Sequence, residues 1–207
     1  MHRQDVDASR AFCLPFAMDL DIRRAMTTEI FLIAPTDHPI ETLKPALLDY
    51  LAHHTVSAVL LERGNMAENA YKTLAKQLVA PLQQAGAAVL VEGEPGLVRL
   101  LGADGLHVPG GIKAVREAVD VLKPNYIVGA GDIGTRHDAM QKAELELDYI
   151  LFGPLSGAIT EPERELARWW AETMEIPSIL SDPQAHAVAF EAEGCEFIAL
   201  RLPEPAK

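Results

Sequence analysis

The chain has 207 residues, with 30 acidic against 18 basic side chains and a formal net charge of −12. Hydrophobic residues make up 49% and charged residues 23%, ordinary fractions for one globular domain large enough to bury a full core. That acidity argues against a general nucleic-acid binder or a protein of anionic membrane surfaces, because phosphate binding needs a Lys/Arg face. Two cysteines, Cys13 and Cys195, exclude a disulfide framework or a cysteine-rich zinc site. They are expected to be reduced thiols of a cytoplasmic protein. The sequence contains no apolar run of the ~18 residues a membrane span needs. Residues 1–28 read as an N-terminal extension. Its apolar stretch Ala11–Met18 is broken by Pro15, which does not suit a signal peptide, and Met18 and Met26 are each a candidate translation start.

From Glu29 onward short apolar runs alternate with amphipathic ones. The runs are Ile30–Ala34, Ala58–Leu61, Ala88–Val91, Gly105–Val108, Tyr126–Gly129, Tyr149–Phe152, Ser178–Leu180 and Phe197–Leu200. Continuous Val/Ile/Leu runs without alternation are how parallel strands buried on both faces read. Between them, Leu43, Leu47, Leu48 and Leu51, then Leu74, Leu78 and Leu82, then Val115, Val119 and Leu122 carry helical spacing. Pro162 with Glu161, Glu163 and Glu165 marks a helix start. Strand starts near 29, 56, 87, 105, 126, 149, 177 and 197 recur about every 24 residues. Eight such units over residues 29–207 predict a (β/α)8 TIM barrel. An open doubly wound sheet is the alternative, disfavoured because no G-x-G-x-x-G follows the first strand. After the eighth run only Leu202–Lys207 remain, with Pro203 and Pro205, so the usual eighth helix is missing. The segment around Ala17–Ala25, or a second subunit, is expected to cover that gap.

Several strings resemble the thiamine phosphate synthase/TenI superfamily. Ala103–Asp104–Gly105–Leu106–His107–Val108 is similar to its aDGvHl strand, and Asp148–Tyr149–Ile150–Leu151–Phe152–Gly153–Pro154 to its DYigfGP segment. Ile127–Val128–Gly129, Ile176–Pro177 and Gly194–Cys195–Glu196–Phe197–Ile198–Ala199 follow in the family's order. The resemblance spans about Ile30 to Leu200. It implies a barrel transferase that joins a pyrimidine diphosphate to a thiazole phosphate in thiamine biosynthesis, with magnesium as cofactor.

The site positions depart from the family. Leu61–Glu62–Arg63 stands where the family has an Arg-Glu-Lys-like triplet, leaving Arg63 for the diphosphate. Glu92–Gly93–Glu94 replaces Asn-Asp, leaving Glu92 or Glu94 for the metal, with Glu92 the chosen ligand. Gly129–Ala130–Gly131–Asp132 replaces Gly-x-Ser, and Pro109–Gly110–Gly111–Ile112 brings no carboxylate. Ser156 and Thr160 stand for the phosphate-clamping Thr and Lys residues. Ser181–Asp182–Pro183 replaces a Gly-Gly phosphate turn, and an Asp there repels a dianion. The resemblance thus implies catalytic roles for Arg63, Glu92 and His107, and substrate contacts at Glu62, Gly129, Gly131, Asp132, Gly153, Ser156, Thr160 and Asp182. Glu92 with His107 and Asp132 is a further candidate metal set; Glu62 and Arg63 beside Glu92 could instead form a structural ion pair. The alternative reading is a non-catalytic or regulatory barrel that binds a small metabolite. Trp169 and Trp170, about 100° apart on a helix, suggest one ring on the barrel and one on a neighbouring subunit, hence a homodimer.

Overall fold

The computed structural model describes residues 28–185 and 192–204. Eight parallel strands close into one barrel in chain order. They are β1 (Glu29–Pro35), β2 (Val56–Glu62), β3 (Ala88–Val91), β4 (Gly105–Val108), β5 (Ile127–Ala130), β6 (Tyr149–Phe152), β7 (Ser178–Ser181) and β8 (Phe197–Arg201). The helices among the described residues are α1 (Ile40–His53), α2 (Glu68–Gln84), α3 (Gly96–Leu101), α4 (Ile112–Leu122), α5 (Arg136–Ala143) and α6 (Glu161–Thr173). The eight-strand barrel expected from the apolar runs is therefore present, and no helix follows β8 among the described residues. The N-terminal extension, including the Ala17–Ala25 cover expected for β8, lies outside the described residues.

Each strand is apolar throughout because both of its faces are buried. Phe31 and Ile33, Ala58 and Leu60, and Ala88 and Leu90 point into the barrel, while Leu32, Val59 and Val89 pack under the helices. Leu43 and Leu47 of α1 and Leu74, Leu78 and Leu82 of α2 are buried as their spacing requires. Trp170 is fully buried, packs on Phe152 and donates its indole N–H to the Ile176 carbonyl. Trp169 is half-buried, meets Trp170 edge-on and lies under the Arg136 guanidinium at 4.6 Å.

The recognisable strings have a structural cause. Asp104, one residue before β4, accepts from the Val89 N–H of β3 at 2.7 Å. Asp148, one residue before β6, accepts from Val128 of β5 at 2.7 Å, and Glu196, one residue before β8, from Ser178 of β7 at 2.9 Å. Three carboxylates thus stitch three strand pairs at the N-terminal end of the barrel, where buried backbone donors need partners. Gly129 is needed for packing: a Cβ there would lie 2.0 Å from the Tyr149 ring.

A candidate ligand cavity at the strand ends

The period-2 geometry of a strand sends Glu62, Glu92, His107, Gly131, Ser181 and Arg201 inward at the C-terminal ends, where barrel sites form. The mouth they surround has two unlike halves.

On the β8–β1–β2–β3 half, the inward-facing Glu62, Glu92 and Arg201 side chains are all engaged. Arg201 Nη1 lies 2.5 Å from the Glu62 carboxylate and donates to the Leu155 carbonyl at 2.9 Å. Glu62 therefore pairs with Arg201 and not with Arg63. The buried Glu92 carboxylate accepts the Arg63 backbone N–H at 2.6 Å. The Glu92 N–H donates to the Tyr71 hydroxyl, which donates in turn to the Leu61 carbonyl at 2.6 Å. Burial pushes the Glu92 carboxyl up to about 7, against the N–H from Arg63 and with help from the Glu62 charge. The Arg63 guanidinium turns to the Met66 carbonyl at 3.1 Å.

The β4–β6 half opens into a cavity of about 380 Å³, within the range of small-molecule sites. His107, Pro109, Asp132, Leu151 and Gly153 line its barrel side, and Pro162, Glu163 and Leu166 of α6 line the other. His107 is 1% exposed, its ring lies parallel to that of Tyr149, and Nδ1 is 2.9 Å from the Tyr149 hydroxyl. Its Nε2 is buried with no hydrogen-bond partner. Gly131 passes so close that a Cβ would come 2.7 Å from that nitrogen. Burial, with Lys142 adding, pulls the imidazole down to about 3 and keeps it neutral.

Two polar devices shape the walls. Lys142 of α5 is buried and points inward; its ammonium donates to the Gly131 and Asp132 carbonyls, each at 3.1 Å, and pairs with Asp138 at 3.1 Å. Those contacts hold Asp132 in the left-handed region, φ +54°. At the start of α6, the Glu163 carboxylate accepts the Thr160 N–H and hydroxyl, each at 2.7 Å.

Of the residues named from sequence, His107, Asp132 and Gly153 meet at the cavity, with Gly131 against His107. Glu62 and Glu92 face the mouth on the other half. Gly129 lies a layer deeper beneath Tyr149, and Arg63 reaches toward its own loop. Ser156 is exposed on the loop before α6, as is Glu94 on the loop after β3. The Thr160 hydroxyl is taken by Glu163, and Asp182 is ion-paired with Arg164 at 2.7 Å. Sequence reading missed Tyr149, Lys142 and Glu163 as shapers of the site. Among the described residues no group of three or more His, Cys, Asp or Glu side chains could hold a metal. Glu92, His107 and Asp132 are not such a group, so the magnesium implied by the resemblance would rest here on one or two carboxylates, with water and substrate phosphate oxygens completing its shell.

The family model described as thiamine monophosphate synthase matches residues 30–200. The thiamine-phosphate synthase of Hyphomonas neptunium is 28% identical over 185 residues, 84% of each chain. That of Rhodospirillum centenum is 31% identical over 156 residues, 72% of this chain and 75% of its own. Among solved structures, thiamine phosphate pyrophosphorylase from Pyrococcus furiosus superposes with a TM-score of 0.67 at 19% identity, covering 87% of both chains, a likeness of fold. The match runs from the first strand of the barrel to its last, and the chain belongs to the thiamine monophosphate synthase family as a thiamine phosphate synthase-like protein.

Proposed function

We propose that the protein holds one small thiamine-related heterocycle in the β4–β6 cavity and does not perform the magnesium-dependent joining of a pyrimidine diphosphate to a thiazole phosphate. The observation that carries this reading is that three of the side chains at the expected phosphate and metal positions are already engaged within the chain. Asp182 is held by Arg164, Thr160 by Glu163, and Glu92 by the Arg63 N–H. The partly open cavity beside His107 supports a binding role.

The full chain incubated with both phosphorylated substrates and magnesium is expected to give no thiamine phosphate above a protein-free control. Product whose formation disappears in Glu92→Gln would overturn the reading. One observation favours the second reading, the synthase itself: 28–31% identity to thiamine-phosphate synthases over most of the chain. It would place Arg63 on the diphosphate, Glu92 on the metal, and Ser156 and Thr160 on phosphate, and the same assay decides. We also take the protein to be a cytoplasmic homodimer that meets its copy through the α6 face, where Trp169 and Arg136 stack. Sedimentation as a monomer would remove that part.

A further inference from the structure

We infer that the β4–β6 cavity selects an unphosphorylated nitrogen heterocycle, neutral or positively charged, of the kind the thiazolium ring of thiamine represents. The inference rests on the reading that this cavity is the ligand site.

Charge is the first ground. Asp132 and Glu163 both line the cavity, and no Lys or Arg lines it among the described residues. Lys142 sits beneath the same loop, but its three donors go to the Gly131 and Asp132 carbonyls and to Asp138. A phosphate entering here would meet carboxylates without a cation to offset them, whereas a ring cation would be attracted.

The second ground is the start of α6. A helix N-terminus normally favours an anion through its free N–H groups. Here the Glu163 carboxylate takes the Thr160 N–H, and Pro162 has no N–H to give. The chain's own carboxylate therefore already sits at this N-terminus, where it opposes a second anion.

His107 supplies a third and independent ground. His107 lines the cavity, and its Nε2 is buried without a partner, although buried polar atoms are almost always satisfied. A ring N–H, an exocyclic amine or a ring nitrogen would complete it. The imidazole is neutral, so it adds hydrogen bonding without the charge that would hold phosphate. Pro109 and Leu151 give the rest of the wall an apolar character suited to a flat ring.

Calorimetry on the full chain tests this with four probes: thiamine, thiamine monophosphate, the neutral hydroxyethyl thiazole, and magnesium diphosphate. Thiamine is expected to bind at least about tenfold more tightly than its monophosphate, the factor produced by ~1.4 kcal/mol of charge repulsion. Asp132→Asn keeps a side chain that tolerates the left-handed backbone. It is expected to weaken thiamine roughly fivefold while leaving the neutral thiazole within about twofold, since only the charge is lost. Thiamine monophosphate or magnesium diphosphate binding more tightly than thiamine would overturn the inference and leave the ligand site standing. Unchanged thiamine affinity in Asp132→Asn would also overturn it. No binding by thiamine, its monophosphate or the thiazole would overturn both the inference and the site. Turnover in the two-substrate assay would overturn only the reading of function.

Discussion

The two halves of the barrel mouth carry the same kinds of residue and behave differently. On the β8–β1–β2–β3 side, Glu62, Glu92 and Arg201 face inward at strand ends, yet Arg201 holds Glu62, and Glu92 is held by Arg63 and steadied by Tyr71. On the β4–β6 side, His107 has half of its hydrogen-bonding capacity left over, and the space beside it is open. Position at the C-terminal end of a strand makes a residue a candidate. Capacity not yet consumed by the chain is what makes it available to a ligand. A charged residue already paired contributes shape and stability to the mouth and little to recognition.

That contrast can be broken most severely from below. Gly129→Ala would put a methyl 2.0 Å from the Tyr149 ring and displace the partner of His107. The expected cost is at least ~3 kcal/mol, a fall in Tm of roughly 6–12 °C for a chain of this size, read by thermal melting. Loss of ligand binding should accompany it.

The engaged half has a pH signature. Glu92 is raised to about 7, so the native state holds a proton that the unfolded chain releases near 4.5. Stability from this group is full below 4.5 and declines as pH rises to about 7. The expected change is up to ~3 kcal/mol over that window. His107 works in the opposite sense: pulled down to about 3, it costs stability as pH falls from 6.5. Denaturant titrations of wild type and Glu92→Gln at matched pH isolate the carboxyl, because the His107 contribution is common to both. Identical pH slopes in the two proteins would show that Glu92 is ionised throughout and would weaken the contrast between the halves.

A smaller effect sharpens the comparison. Arg201→Met leaves Glu62 without its partner while both sites are largely shielded, with side-chain exposures of 26% and 13%. The expected loss is about 2 kcal/mol, below the value for a fully buried pair because water still reaches the guanidinium. Adding Glu62→Gln should recover most of it, and ligand affinity in the other half should not change. A large affinity loss in Arg201→Met would mean that the two halves act as one site.

The fold was legible because it is repetitive. Strands buried on both faces declare themselves as unbroken apolar runs, and the Asp104, Asp148 and Glu196 stitches fix recognisable strings just before β4, β6 and β8. His107 was legible for its place in one of those strings. Its pairing with Tyr149, 42 residues away, was not, because it reaches across β5 between two strands that only the closed barrel brings within range. The Glu62–Arg201 pair spans 139 residues and reaches across β1, a separation that no spacing in the sequence signals. Lys142 was invisible for another reason: a lysine on an amphipathic helix reads as solvent-facing, and only the carbonyls of Gly131 and Asp132 explain why it turns in. Asp182 and Thr160 stand at phosphate positions by resemblance, but resemblance carries no information about the internal partners that occupy them.

The buried ammonium of Lys142 has an electrical consequence for whatever enters the cavity. It lowers the proton affinity of His107 further than burial alone would. The imidazole therefore presents one unchanging protonation state from mildly acidic to alkaline solution. Through that range His107 cannot act as a proton sensor, and any acid–base behaviour it contributes to binding must come from titration of the guest molecule.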